Sequence, residues 1–269
     1  MRRSFARDAG GNKTVDADAR RRLARRRGWA SCNDSSVTKP AKIAAGIGAA
    51  ALACGVVALV TSGIARVAAV WTALACVIAC AAYLFNRPMW LGKRDGRLAP
   101  HAVLILPYLV AFRIACALMR RVRPADRPTE VAPGVWVGGR VSSGSLPPRT
   151  AYVVDLVAEY PADRAVRALR GYRGLPVLDG GYPASVPGFL TLMAELARDR
   201  DGDVVVHCDS GRGRAPTIAA ALLVVRGLAP DVDAALESIR SARPVVAPTR
   251  SDRGFLARVE ADLRRLARE

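Results

Sequence analysis

Acidic residues are scarce: 23 Asp and Glu stand against 41 Lys and Arg, a formal charge of +18 over 269 residues. Such an excess favours anionic partners (phospholipid surfaces, nucleic acid, phosphorylated substrates) without choosing among them. There is no zinc-finger spacing and no aromatic-interleaved basic module, so nucleic acid is not an expected partner. A disulfide framework is missing too. Cys54, Cys76, Cys80 and Cys116 lie in apolar runs, Cys32 lies in a polar head, and only Cys208 falls in the second half. One thiol in a soluble region points to a reducing compartment, and to either an inert core residue or a nucleophile. Cys76 and Cys80 share a helix face, but no His or carboxylate stands near them, which favours helix packing or lipid contact over a metal. Neither a metal nor a cofactor is expected, and no internal repeat occurs.

Charge is also absent from two long stretches. Residues 1–40 form an Arg-rich head that reads as a disordered tail or as a segment drawn to anionic lipid. Within 41–123, helices are expected at about 43–65 and 67–86, each uncharged and long enough to cross a hydrocarbon core of about 30 Å. Ser62, Gly63 and Arg66 mark a tight turn between them, and the spacing of Gly46, Ala50 and Cys54 suggests a close-packed seam. A third apolar run, 102–119, contains Pro107 and Arg113 and has basic flanks. It reads either as an interfacial or re-entrant helix or as a third crossing. The basic head and the basic loop at 87–97 place both ends of the hairpin on the cytoplasmic side of a cell membrane, in bacterial terms the inner membrane. The interfacial reading then leaves the second half in the cytoplasm.

After a Pro-containing linker at 124–130 the pattern alternates. Strands are expected at 135–137, 153–156, 175–178 and 203–207, and helices at 162–169, 189–198, 217–226, 232–241 and 250–268. The expected fold class is α/β, a mostly parallel central sheet flanked by helices and preceded by a transmembrane helical hairpin.

The segment from Val204 to Thr217 concentrates the chemistry. A buried strand runs into His207-Cys208-Asp209-Ser210-Gly211-Arg212-Gly213-Arg214, and a helix follows. A helix N-terminus offers unpaired N–H groups and a positive dipole end, which suits a phosphate dianion. Gly211 and Gly213 let the loop curl so that its amides converge. Arg214 can grip two phosphate oxygens with a planar fork. The same field favours a thiolate on Cys208, ready to attack phosphorus. His207 reads as an orienter bonded to the loop backbone rather than a proton-transfer group, since strand alternation turns it from Cys208. Arg212 is either a solvated residue or a further contact to substrate. Asp209 suits such a loop only if its carboxylate points outward.

His-Cys, five residues, then Arg between strand and helix resembles the signature loop of the cysteine-dependent dual-specificity and protein tyrosine phosphatase superfamily. The resemblance covers about 129–269, and membrane-anchored bacterial members of this kind exist. It implies a phosphatase domain over 124–269, a cysteinyl-phosphate intermediate, a phosphate cradle formed by residues 209–214, and no metal. It also implies an acid on a loop before the cysteine. Asp179 fills that place, ahead of Gly180-Gly181-Tyr182-Pro183. Asp155 and Asp163 are weaker candidates, one within a strand and the other a helix cap. One position departs from the family: where Ser or Thr usually follows the signature Arg, this chain has Ala215. The apolar segments and the basic excess favour a phosphorylated lipid, such as phosphatidylglycerophosphate or a phosphoinositide, over a phosphoprotein at Tyr, Ser or Thr. A membrane adaptor that binds phosphorylated ligands without turnover is the alternative. A rhodanese-like sulfur carrier is disfavoured because its cysteine-to-arginine spacing is shorter.

Overall fold

The computed structural model describes residues 39–122 and 127–269. The basic head up to residue 38, with Cys32, and linker residues 123–126 lie outside the described residues.

Small residues decide how the first two helices pair. Helix α1 (Lys39–Val60) turns back through Thr61 and Ser62 into α2 (Gly63–Leu84). The reversal therefore comes before Arg66, not at it. Arg66 lies inside α2, and its Nε donates to the Ala58 carbonyl at 3.0 Å, satisfying an acceptor in the last turn of α1. The seam also differs from the expected Gly46–Ala50–Cys54 row. Ala44, Ala51 and Ala58 are buried, as are Ala75, Ala79 and Ala82 on α2, while Gly46 and Ala50 are exposed. Nearly every α1 residue is small or aliphatic, so no polar stripe marks which face turns inward. Cys80 Sγ closes the seam by donating to the Ala44 carbonyl at 3.3 Å. Leu52, Leu59, Val60, Ile64 and Val67 point outward, exposed.

Beyond α2 the chain makes a 3-10 turn (Pro88–Leu91) and a hairpin, β1 (Lys93–Arg94) with β2 (Arg97–Leu98). Asp95 and Gly96 form its turn with φ of 47° and 72°, the left-handed conformation that two-residue hairpins require. A second 3-10 stretch (Pro100–Ile105) leads into α3 (Leu106–Val122). Pro107 opens this helix instead of interrupting the run, because a first-turn residue needs no N–H partner. By length and composition, three helices are long and apolar enough to cross a membrane: α1, α2 and the stretch Pro100–Val122.

The second half contains β3 (Thr129–Ala132), β4 (Val135–Gly138), β5 (Thr150–Val157), α4 (Arg164–Arg167), β6 (Tyr172–Val177), α5 (Val186–Arg198), β7 (Asp203–His207), α6 (Arg214–Val225), α7 (Val232–Ala242) and α8 (Arg250–Leu266). The sheet order is β3-β4-β7-β5-β6, parallel except where β3 meets β4. Strand alternation splits β7 between two cores. Val204 and Val206 join Phe189, Met193, Ile218, Leu222 and Phe255 under α5–α8, while Val205 packs with Val141, Val153 and Val166 on the other face. Antiparallel β3 was not expected, and the helix expected at 162–169 is one turn, capped by Asp163 through the Ala165 and Val166 amides. A third core joins the two halves of the chain: Tyr83, Leu91, Ala102, Ile105, Tyr108 and Leu109 pack with Ala158 and Leu178.

Candidate active site

β7 ends in the middle of the sheet, and the loop 208–213 leaves its C-terminal edge before α6 begins. Cys208 is buried, and the Gly211 amide donates to its sulfur at 3.2 Å. Gly211 has φ +67°, and a Cβ there would come within 2.5 Å of the Gly138 carbonyl carbon, so only glycine lets the loop back onto β4. The loop is braced from outside. Its Asp209 carbonyl accepts from the Arg140 amide at 3.0 Å, its Arg212 carbonyl from the Ala247 amide at 2.8 Å, and its Gly211 carbonyl from Arg243 Nε at 3.2 Å. Ala215 is fully buried in the first turn of α6.

Arg214 is buried at the loop's end. Its Nη1 donates to the Val177 carbonyl at 2.6 Å and to Glu159 at 3.2 Å, and its Nη2 lies 3.9 Å from Asp179. Burial works against its charge, but Glu159, Asp179 and Cys208 outweigh it and raise the guanidinium further above its ordinary range. Asp179 follows β6, as the sequence suggested, and is partly exposed. Burial pushes its carboxyl up, but Arg214, Lys39 and the Gly180 amide hold it below the usual carboxylate range. Lys39 Nζ is the nearer cation, at 3.0 Å.

These positions carry a known signature. Residues 150–256 match the family model for the Swiss Army Knife protein, DSP-PTPase phosphatase domain. Those residues carry a phosphatase domain of the DSP-PTPase type. Structures similar to it include human DUSP28, 23% identical, covering 51% of this chain and 95% of that one with TM-score 0.39. Tk-PTP in its active form is 25% identical over 50% of this chain and 97% of its own, with TM-score 0.43. PTPMT1, solved in complex with PI(5)P, is 16% identical over 51% and 97%, with TM-score 0.42. No curated protein matches the chain in sequence.

One expectation for the phosphatase loop needs correction. His207 does not bond the loop backbone. Both its ring nitrogens are buried without a hydrogen bond, and Nε2 sits 3.7 Å from Asp155. Burial lowers its pKa and keeps the ring neutral, which explains how a histidine sits there beside Lys93. Asp209 turns its carboxylate out of the loop: Arg120 Nη1 donates to it at 2.8 Å, and the Tyr160 hydroxyl donates to the same oxygen. The last turn of α3 supplies the neutralising guanidinium.

Sequence reasoning missed the supports of the phosphatase site. Glu159 is fully buried and accepts from both Arg214 and the Tyr83 hydroxyl, the latter at 3.4 Å from α2. Lys93 belongs to the basic loop expected on the cytoplasmic side, yet it is buried, donating to Asp155 at 2.7 Å and to the Val157 carbonyl at 2.6 Å. Asp155 thus anchors this lysine, with Tyr172 as a further donor at 2.8 Å, and is not placed as an acid. The Asp95-Gly96 dipeptide was the available signal, since it announces the hairpin that presents Lys93.

Proposed function

We propose that this chain is a membrane-tethered phosphomonoesterase, with a membrane region at 41–123, a cytoplasmic phosphatase domain at 124–269 and a substrate phosphate borne on lipid. Residues 209–213 supply the converging amides that hold the phosphate, with Arg214 gripping its equatorial oxygens. The Cys208 thiolate attacks phosphorus, an S–P bond forms, and the P–O bond to the leaving group breaks. Asp179 gives its proton to the departing oxygen. Water then attacks the cysteinyl-phosphate, its proton returns to Asp179, and sulfur leaves as thiolate with inorganic phosphate as product.

One observation carries the lipid reading: side chains from the apolar half bond directly to the catalytic loops and their supports. Lys39 meets Asp179, Tyr83 meets Glu159, Arg120 meets Asp209, and Asn86 Nδ2 donates to the Tyr182 carbonyl beside the acid loop at 3.2 Å. The site therefore lies where α1 starts and α2 ends, at the level of headgroups if the hairpin spans a bilayer. The outward aliphatic side chains of α1 and α2 support that span, since water would be a poor solvent for them. The third run is better supported as an interfacial helix. Ile105, Tyr108 and Leu109 share a core with the phosphatase domain, Phe112 lies 6.5 Å from the Tyr160 ring, and Arg120 reaches Asp209. A helix held to the domain along its length offers its opposite stripe, Leu106, Val110, Ile114 and Leu118, to the bilayer surface.

The test uses full-length protein in vesicles, offered phosphatidylglycerophosphate, a phosphoinositide, and peptides phosphorylated on Tyr, Ser or Thr. Release of inorganic phosphate should be fastest from a lipid. Faster release from a peptide overturns the substrate class, and tight binding without release from any of them marks an adaptor. Asp179→Asn should slow turnover of alkyl phosphates by about 10²-fold or more while sparing aryl phosphates, whose oxygen leaves unaided. Equal slowing of both would remove Asp179 from the acid's role.

A further inference from the structure

We infer that Lys39, in the first turn of the first membrane helix, is a latch that keeps Asp179 ionised until an anionic lipid headgroup draws the lysine away. The inference rests on Asp179 being the general acid and on α1 entering the bilayer. A carboxyl group must carry a proton to donate one, and a carboxylate between two cations does not hold it. Asp179 stands between two: Lys39 Nζ at 3.0 Å from one oxygen and Arg214 Nη2 at 3.9 Å from the other. Other groups in its field, among the described residues, include Asp252 on α8, Tyr83 on α2 and Tyr108 on α3. Arg214 is buried and fixed by Glu159 and the Val177 carbonyl, so it cannot leave. Lys39 can.

Its side chain is 48% exposed and that of Asp179 is 37% exposed, so the pair faces solvent and is weak enough to exchange. The lysine stem lies over Gly180, where φ is +70° and an added Cβ would come within 2.7 Å of Lys39 Cδ. The acid loop is thus gripped by the start of α1 on one side and by Asn86, just past α2, on the other. A lysine at the start of an apolar helix lies where headgroup phosphates compete for its ammonium. Loss of the nearer cation leaves Asp179 facing Arg214 alone, and its proton affinity rises. The latch thereby couples acid catalysis to the charge of the surrounding membrane.

The experiment measures kcat/KM for an alkyl phosphate against pH, using full-length protein in phosphatidylcholine vesicles. Lys39→Met should move the alkaline fall-off to higher pH and raise activity at neutral pH about two- to fivefold. Phosphatidylglycerol added to the vesicles should move the wild-type profile the same way and leave the Lys39→Met profile unmoved, while Lys39→Arg should keep the wild-type response. An alkaline limb unchanged in Lys39→Met overturns the latch, and so does a phosphatidylglycerol response that persists without the lysine. If Lys39→Met does not fold, a wild-type profile indifferent to phosphatidylglycerol overturns it equally. The phosphatase reading fails separately, by turnover surviving in Cys208→Ser.

Discussion

Cys208→Ser should lower kcat by at least about 10⁴-fold while leaving substrate binding in place. A serine hydroxyl is a weaker nucleophile toward phosphorus than a cysteine sulfur, and it is a poor leaving group from phosphorus. Beyond the Gly211 amide bond to that sulfur, the loop is held from outside. Gly211 is fixed against Gly138, and Arg140, Arg243 and Ala247 hold the carbonyls of residues 209, 211 and 212. The variant should therefore bind phosphorylated substrate and hold it. Phosphate release and substrate co-sedimentation with vesicles read the two properties apart. Turnover near the wild-type level would move the nucleophile elsewhere, and loss of binding would mean that the sulfur shapes the cradle.

The largest stability effect is expected at Lys93→Met, at about 3–5 kcal/mol. Lys93 and Asp155 are each 1% exposed and bonded at 2.7 Å. Removing the ammonium leaves an ionised carboxylate inside the protein, with the Tyr172 hydroxyl and the Val157 amide as its remaining donors. Denaturant unfolding of the protein in detergent measures the loss. Adding Asp155→Asn to Lys93→Met should recover a large part of it, because the uncompensated charge disappears. A single-variant loss below about 1 kcal/mol would mean that water reaches Asp155 and shields it.

The parts of the site readable from sequence are those compressed into one stretch of chain. Strand, loop and helix from Val204 to Val225 announce themselves together, and Cys208 and Arg214 stand at opposite ends of that loop. The position of Asp179, just past the end of β6 and beside Arg214, agrees with where the resemblance put it, after a strand and before glycines. Glu159 carried no signal. It lies in an irregular loop, and its meaning comes from Arg214, 55 residues away, and Tyr83, 76 residues away. Arg120 and Lys39 looked like ordinary flanks of apolar helices, where basic residues face headgroups, and only the folded chain turns them toward carboxylates. The α1–α2 seam was misjudged for the opposite reason: with small residues on every side, many faces satisfy the pattern.

Four carboxylates ring the phosphate cradle or its supports: Asp155, Glu159, Asp179 and Asp209. Each takes a partner from the chain before residue 123: Lys93, Tyr83, Lys39 and Arg120 in turn. The border near residue 127 divides the sequence without dividing the charge balance. Excising the globular half would take three cations and one hydroxyl from these acids at a single cut, and grafting it onto a foreign anchor would not replace what was lost. Such a fragment would present a dianion with a more negative surround, and so would repel the ligand its amides are shaped to grip.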